Sequence, residues 1–108
     1  MNSFNDREKA HENKFVLDEE VKFRVNSRRR KLLGLWVGEQ IGLSDEDALK
    51  YALEIVGFGI ENNAKGAVIA KIIADAEKHG KKLDEVTVRA KNSEFEVIAT
   101  RQIMEEKK

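Results

Sequence analysis

The sequence predicts a small helical domain, and three observations carry that prediction. None of its 108 residues is proline, so nothing in it forces a break in a long helix. Alanine, leucine, glutamate and lysine are plentiful, and these favour helix over sheet. Three successive segments also place apolar residues three and four apart, each followed by glycine. A chain of this length holds a single core. Charged residues make up 37% and aromatics 6%, so that core is modest and mostly aliphatic.

The first segment stands apart. After the initiator, Met1 to Lys14 offers only Phe4 and Ala10 as apolar residues, while Asp6, Arg7, Glu8, Lys9, Glu12 and Lys14 mix in sign. Opposite charges three or four apart support a helix, but helices in proteins are held mainly by burying an apolar face. This segment has no such face. Residues 1–17 are therefore expected to form a mobile arm, frayed or disordered when free, on a domain spanning 18–108. On composition alone, the frayed end of a longer helix is the favoured reading over an arm with a binding role.

From Leu17 the pattern changes. Leu17, Val21, Val25, Leu32, Leu35 and Trp36 share one helical face, interrupted by Arg28. The helix is expected to reach Ile41 and stop at Gly42, a residue suited to the left-handed position after a helix. Gly34, Gly38 and Gly42 lie four apart and would let another helix approach closely. Ser44 then reads as an N-cap before the acidic turn Asp45-Glu46-Asp47. Ala48, Leu49, Ala52, Ile55 and Val56 follow as a second amphipathic helix, expected to end between Gly57 and Asn63. A third helix is read from about Ala64 to His79, with Val68, Ile69, Ile72, Ile73 and Ala76 inward and Gly80 beyond its end. The last segment is ambiguous. Alternation in Glu85–Ala90 and Glu94–Ala99 reads slightly better as a β-hairpin, whereas a helix would gather Val88, Phe95, Ile98, Ala99 and Gln102, with Lys91 intruding.

Several function classes lose support. Cysteine is absent, which removes disulfides and thiolate chemistry. Formal net charge is zero, so no global field draws the chain to nucleic acid or membrane. No apolar run suits a signal peptide or a membrane span, so a cytoplasmic protein without direct membrane insertion is expected. Carboxylates are scattered, without a nucleophile–base pair. His11 and His79 lack a second histidine or cysteine at metal spacing. Neither catalytic residues, metal nor cofactor is expected. The basic run Arg28-Arg29-Arg30-Lys31 points around the whole helix rather than forming one stripe, and reads as solvated surface with some ion pairing. Gly57-Phe58-Gly59 lacks the strand and third glycine of a phosphate loop and reads as a helix stop.

The order of these features resembles the zeta-type inhibitor subunits of alphaproteobacterial F-type ATP synthases. Phe4-Asn-Asp-Arg7-Glu8-Lys-Ala-His11-Glu12-Asn-Lys14-Phe15 is similar to that family's inhibitory N-terminal signature. Phe23-Arg24-Val25, then Arg28-Arg29-Arg30-Lys31-Leu32-Leu33-Gly34-Leu35-Trp36, then Gly42-Leu43-Ser44 follow in the family's order. Val88-Arg89-Ala90-Lys91 and Arg101-Gln102-Ile103 resemble positions on the family's last helix. The chain departs from the family at Glu61–Gly66, which lacks the usual proline, and at Lys91-Asn92-Ser93-Glu94-Phe95.

The resemblance implies an all-α four-helix bundle with a mobile N-terminal arm, and it moves the reading of Glu85 to Glu106 from hairpin to helix. It also implies a regulatory inhibitor whose arm enters a catalytic interface between the alpha and beta subunits, reaches towards the central stalk and blocks ATP hydrolysis. The expected partner-binding residues are Phe4, Asp6, Arg7, Glu8, His11, Glu12, Lys14 and Phe15. Phe4 and Phe15 would act as apolar anchors, and His11 as a group able to make binding pH-sensitive. The protein would be monomeric when free and sit at the cytoplasmic face of the inner membrane when bound to the synthase. The competing class is a generic helical adaptor or nucleic-acid-associated protein; capture of synthase head subunits in a pull-down separates the two.

Overall fold

The computed structural model describes residues 18–64 and 66–106, and every regular element among them is a helix. These are α1 (Glu19–Gln40), α2 (Asp45–Glu61), α3 (Ala67–Lys78) and α4 (Glu85–Glu106), packed as a four-helix bundle. The ambiguous last segment is a helix throughout. Alternation misleads there because a helix buries only Val88, Ala99 and Ile103. Val86 and Val97, which a hairpin would place alongside other apolar residues, stay exposed.

Local signals fix the ends of α1 and α2. Asp18 caps α1, its carboxylate accepting the Val21 backbone N–H at 2.8 Å, and Glu19 and Glu20 oppose the helix dipole. Gly42 follows the end of α1 at φ +81°, and the Leu43 N–H returns to the Gly38 carbonyl at 2.9 Å. The Ser44 hydroxyl accepts the Asp47 N–H at 3.2 Å, so α2 begins two residues after α1 has turned. Asp84 does the same for α4, accepting the Thr87 N–H at 3.2 Å.

The α1–α2 pair is the tightest crossing. Gly34 lies against Ala52 and Gly38 against Ala48, an antiparallel register in which bare glycines admit the opposing backbone. Gly42 is not part of this ridge, since it is the turning residue. The buried line on α1 is Val21, Val25, Leu33, Gly34, Val37 and Gly38, one position on from the expected Leu32, Leu35 and Trp36 in its second half. Leu32 and Trp36 flank the core as half-buried residues. Leu17 lies outside the described residues.

α2 does not stop at Gly57-Phe58-Gly59. It continues to Glu61, because Gly59 is buried beneath the Arg30 side chain and that packing outweighs two poor helix formers. Leu49, expected inward, is exposed. α3 starts at Ala67 rather than Ala64, following Gly66 at φ +87°. The main core joins Leu33, Val37, Ile55, Ile69, Ile72, Ala76, Leu83 and Val88. A second cluster, Val21, Val25, Ala99 and Ile103, ties the start of α1 to the end of α4. Lys91 intrudes on the α4 face without a buried charge: its ammonium stands 5.8 Å from the Trp36 ring and 5.9 Å from Phe95.

Candidate functional site

All eight sequence-predicted site residues, Phe4, Asp6, Arg7, Glu8, His11, Glu12, Lys14 and Phe15, lie outside the described residues. The structure shows the platform that follows them. Its first element is the Asp18 cap, a feature the sequence reading passed over although Asp-Glu-Glu before a periodic apolar run is a helix-start signal. A fixed first turn sets the direction in which the chain enters the bundle.

The second element is a clamp between α1 and α4. The Arg28 guanidinium donates to Gln102 Oε1 at 2.7 Å and to Glu106 Oε2 at 2.7 Å. Arg28 broke the apolar face in the sequence because it serves this polar clamp at the edge of the Val21–Ile103 cluster. Arg29 donates to Asn26 Oδ1 at 2.8 Å and lies 3.9 Å from Glu96. Arg30 covers Gly59.

The basic run is therefore not a solvated surface throughout. The Arg29 side chain is only 17% exposed, and burial lowers its basicity, with Glu96 opposing that shift. Burial, then the neighbouring Arg29, lowers that of Arg30. Both remain cations, since arginine does not deprotonate in proteins. With Asn62, Asn63 and Asn92 they line a polar cleft of about 200 Å³. Sequence reasoning missed this cleft because its walls come from three segments distant in the chain.

A third feature braces α2 to α3. The Tyr51 hydroxyl donates to Asp75 at 2.9 Å, while Lys71 reaches Glu54 at 2.8 Å and Asp75 at 3.1 Å. Burial first, then the hydrogen bond to Asp75, pushes the Tyr51 hydroxyl well above its ordinary value. The hydrogen bond to Glu54 is the leading cause that raises Lys71. These contacts tie α2 to α3 through the Asp75 carboxylate, which meets both Tyr51 and Lys71.

The fourth feature is open. Beside the Arg28 clamp runs a groove of about 400 Å³, floored by Phe23, Leu53, Val56 and Ile103 and edged by Arg24, Arg28, Lys31 and Glu106. Phe23 and Leu53 are 54% and 55% exposed. Among the described residues no cluster of three or more His, Cys, Asp or Glu could hold a metal ion. No helix among them is long and apolar enough to cross a membrane.

Among the described residues, a capped and clamped helix root, braced neighbours and an exposed apolar groove define a small four-helix domain. The model of one family, described as ATPase inhibitor subunit zeta, matches residues 1–102, and the chain belongs to that family. Membership supports an inhibitory role towards an ATPase. No curated protein and no solved structure matches the chain.

Proposed function

We propose that the chain is a regulatory inhibitor of the F-type ATP synthase, with residues 1–17 as its inhibitory arm and 18–108 as the bundle that carries it. The observation that carries this reading is the extent of the family match, which begins at residue 1 and so includes the whole arm. The arm inserts as a helix at a catalytic interface between alpha and beta subunits and reaches towards the central stalk. There it blocks rotation in the hydrolysis direction. No cofactor takes part, and the free protein is a monomer that meets the synthase at the cytoplasmic face of the inner membrane.

The physical logic is that of a segment that folds on its target. Ordering such a segment costs about 1–2 kcal/mol per residue, so its contacts must be concentrated in a few anchors. Phe4 and Phe15 fill apolar pockets. Arg7, Glu8, Glu12 and Lys14 pair with charges at the rim, and His11 makes engagement pH-sensitive. The Asp18 cap contributes from the other side, because a stable first turn of α1 gives the arm a rigid root and reduces what remains to be ordered. Deleting Met1 to Lys14 tests the proposal. The truncated protein should melt like the full chain and no longer inhibit ATP hydrolysis by the synthase; undiminished inhibition by it would sink the reading.

A further inference from the structure

α2 carries two apolar lines. Ala48, Ala52, Ile55 and Gly59 face the bundle and are buried. Leu49, Leu53, Val56 and Ile60 recur at intervals of four, three and four, which at 100° per residue keeps them within about 60° of one another. Bundle packing leaves this second line in water: Leu49, Leu53 and Ile60 are 42%, 55% and 47% exposed. Phe23 faces it across the groove from α1, and the four apolar residues of the groove floor join α1, α2 and α4 into one surface. Contiguous apolar surface rimmed by charge marks an interaction site on a small soluble domain.

We infer that this groove is a second docking site for the ATP synthase head, taking an amphipathic helix whose apolar row is flanked by acidic residues. The inference rests on the reading of residues 1–17 as the inhibitory arm. Two observations select this occupant. Of the cations at the groove, Arg28 is paired with Glu106 at 2.7 Å and Arg24 lies 3.6 Å from Glu20. That leaves Lys31 as the rim cation without an ion pair among the described residues, so the rim favours an acidic partner. Phe23 also lies five residues past Asp18 on the same helix, about 7 Å along its axis. Whatever surface holds the arm is therefore brought against the groove. A helix laid in a groove with apolar anchors and a charged rim is a recurrent recognition mode.

The test measures affinity of the full-length protein for the synthase head by biolayer interferometry, beside its inhibition of ATP hydrolysis. Three variants are compared with the wild type: Phe23→Asp with Leu53→Asp, Lys31→Glu, and Phe4→Ala with Phe15→Ala. The groove pair should bind at least about tenfold more weakly. Lys31→Glu, which leaves the apolar floor intact, should bind about threefold more weakly and with a shallower salt dependence. Wild-type affinity in both groove variants overturns the inference whatever the arm variant does. Wild-type affinity in the arm variant overturns the arm reading instead. A concentration-dependent dimer in sedimentation, abolished by the groove pair with head affinity unchanged, would assign the groove to a second copy and overturn the inference.

Discussion

Gly34→Ala should destabilise the bundle although alanine is the better helix former. A methyl built on Gly34 would stand 2.6 Å from the Ala52 Cα and 3.1 Å from its Cβ. Neither atom can rotate away, since one is backbone and the other is bonded to it. Carbon atoms in contact settle at about 3.5–4 Å, so α1 and α2 would have to part by about 1 Å at their closest crossing. Overpacking costs about 1–3 kcal/mol, and a 2.6 Å approach to a backbone atom falls in the upper part of that range, while replacing a helical glycine returns about 1 kcal/mol. The net loss is about 1–2 kcal/mol, which for a domain of this size lowers Tm by about 5–10 °C. Gly57→Ala is the matched control. It lies in the same bundle with nothing within 4 Å of the added methyl, so it should gain about 1 kcal/mol and melt higher. Thermal unfolding followed by far-ultraviolet circular dichroism reads both. A Gly34→Ala protein melting at or above the wild type would refute the close-packing account of this helix pair.

Other consequences follow from single contacts. Arg28→Ala removes two hydrogen bonds to the end of α4. With Glu106 about half exposed the loss is discounted for solvent to about 1 kcal/mol, and amide exchange should accelerate at the last turns of α4 rather than in α2. Tyr51 is the chain's single tyrosine, so phenolate absorbance reports it alone. Its folded-state value is raised above the ordinary 10.0, so below pH 10 both folded and unfolded chains keep the proton and its contribution is complete. Above pH 10 the unfolded chain releases it first, and stability declines as pH rises towards the folded value. The phenolate signal should accordingly appear only well above pH 10 or together with unfolding, and a midpoint at the ordinary value would contradict the Asp75 contact. Lys91→Ala removes the cation shared by Trp36 and Phe95. It should cost about 0.5–1 kcal/mol and change the emission of the single tryptophan; unaltered emission would place Lys91 in solvent.

The sequence made helix ends legible wherever the chain ends a helix by its own local chemistry. Gly42 and Gly80 take positive φ as expected after α1 and α3, and Ser44 caps α2 as its spacing suggested. Misreadings arose where a distant residue decides. Gly57-Phe58-Gly59 has the composition of a stop, yet Arg30, far back on α1, packs over Gly59 and carries the helix through. The period-two pattern of the last segment is real, but its valines are divided between core and water once Val88 and Ile103 have found the bundle. Arg28 looked like a flaw in an apolar stripe because its partners, Gln102 and Glu106, lie at the opposite end of the sequence. For Met1 to Lys14, which lie outside the described residues, only the lack of an apolar face was legible in sequence. The groove was not, since its floor comes from α1, α2 and α4 together, and Leu53 and Val56 look like ordinary core positions until α2 is seen with a second apolar line.

We propose that residues 1–17 occupy a catalytic interface of the synthase. The measurement that tests it most directly places a photoreactive phenylalanine analogue at position 4 of the full-length protein, bound to the synthase under conditions in which hydrolysis is inhibited. Adducts with the alpha and beta subunits are expected. Inhibition without any adduct to either subunit would contradict the proposal.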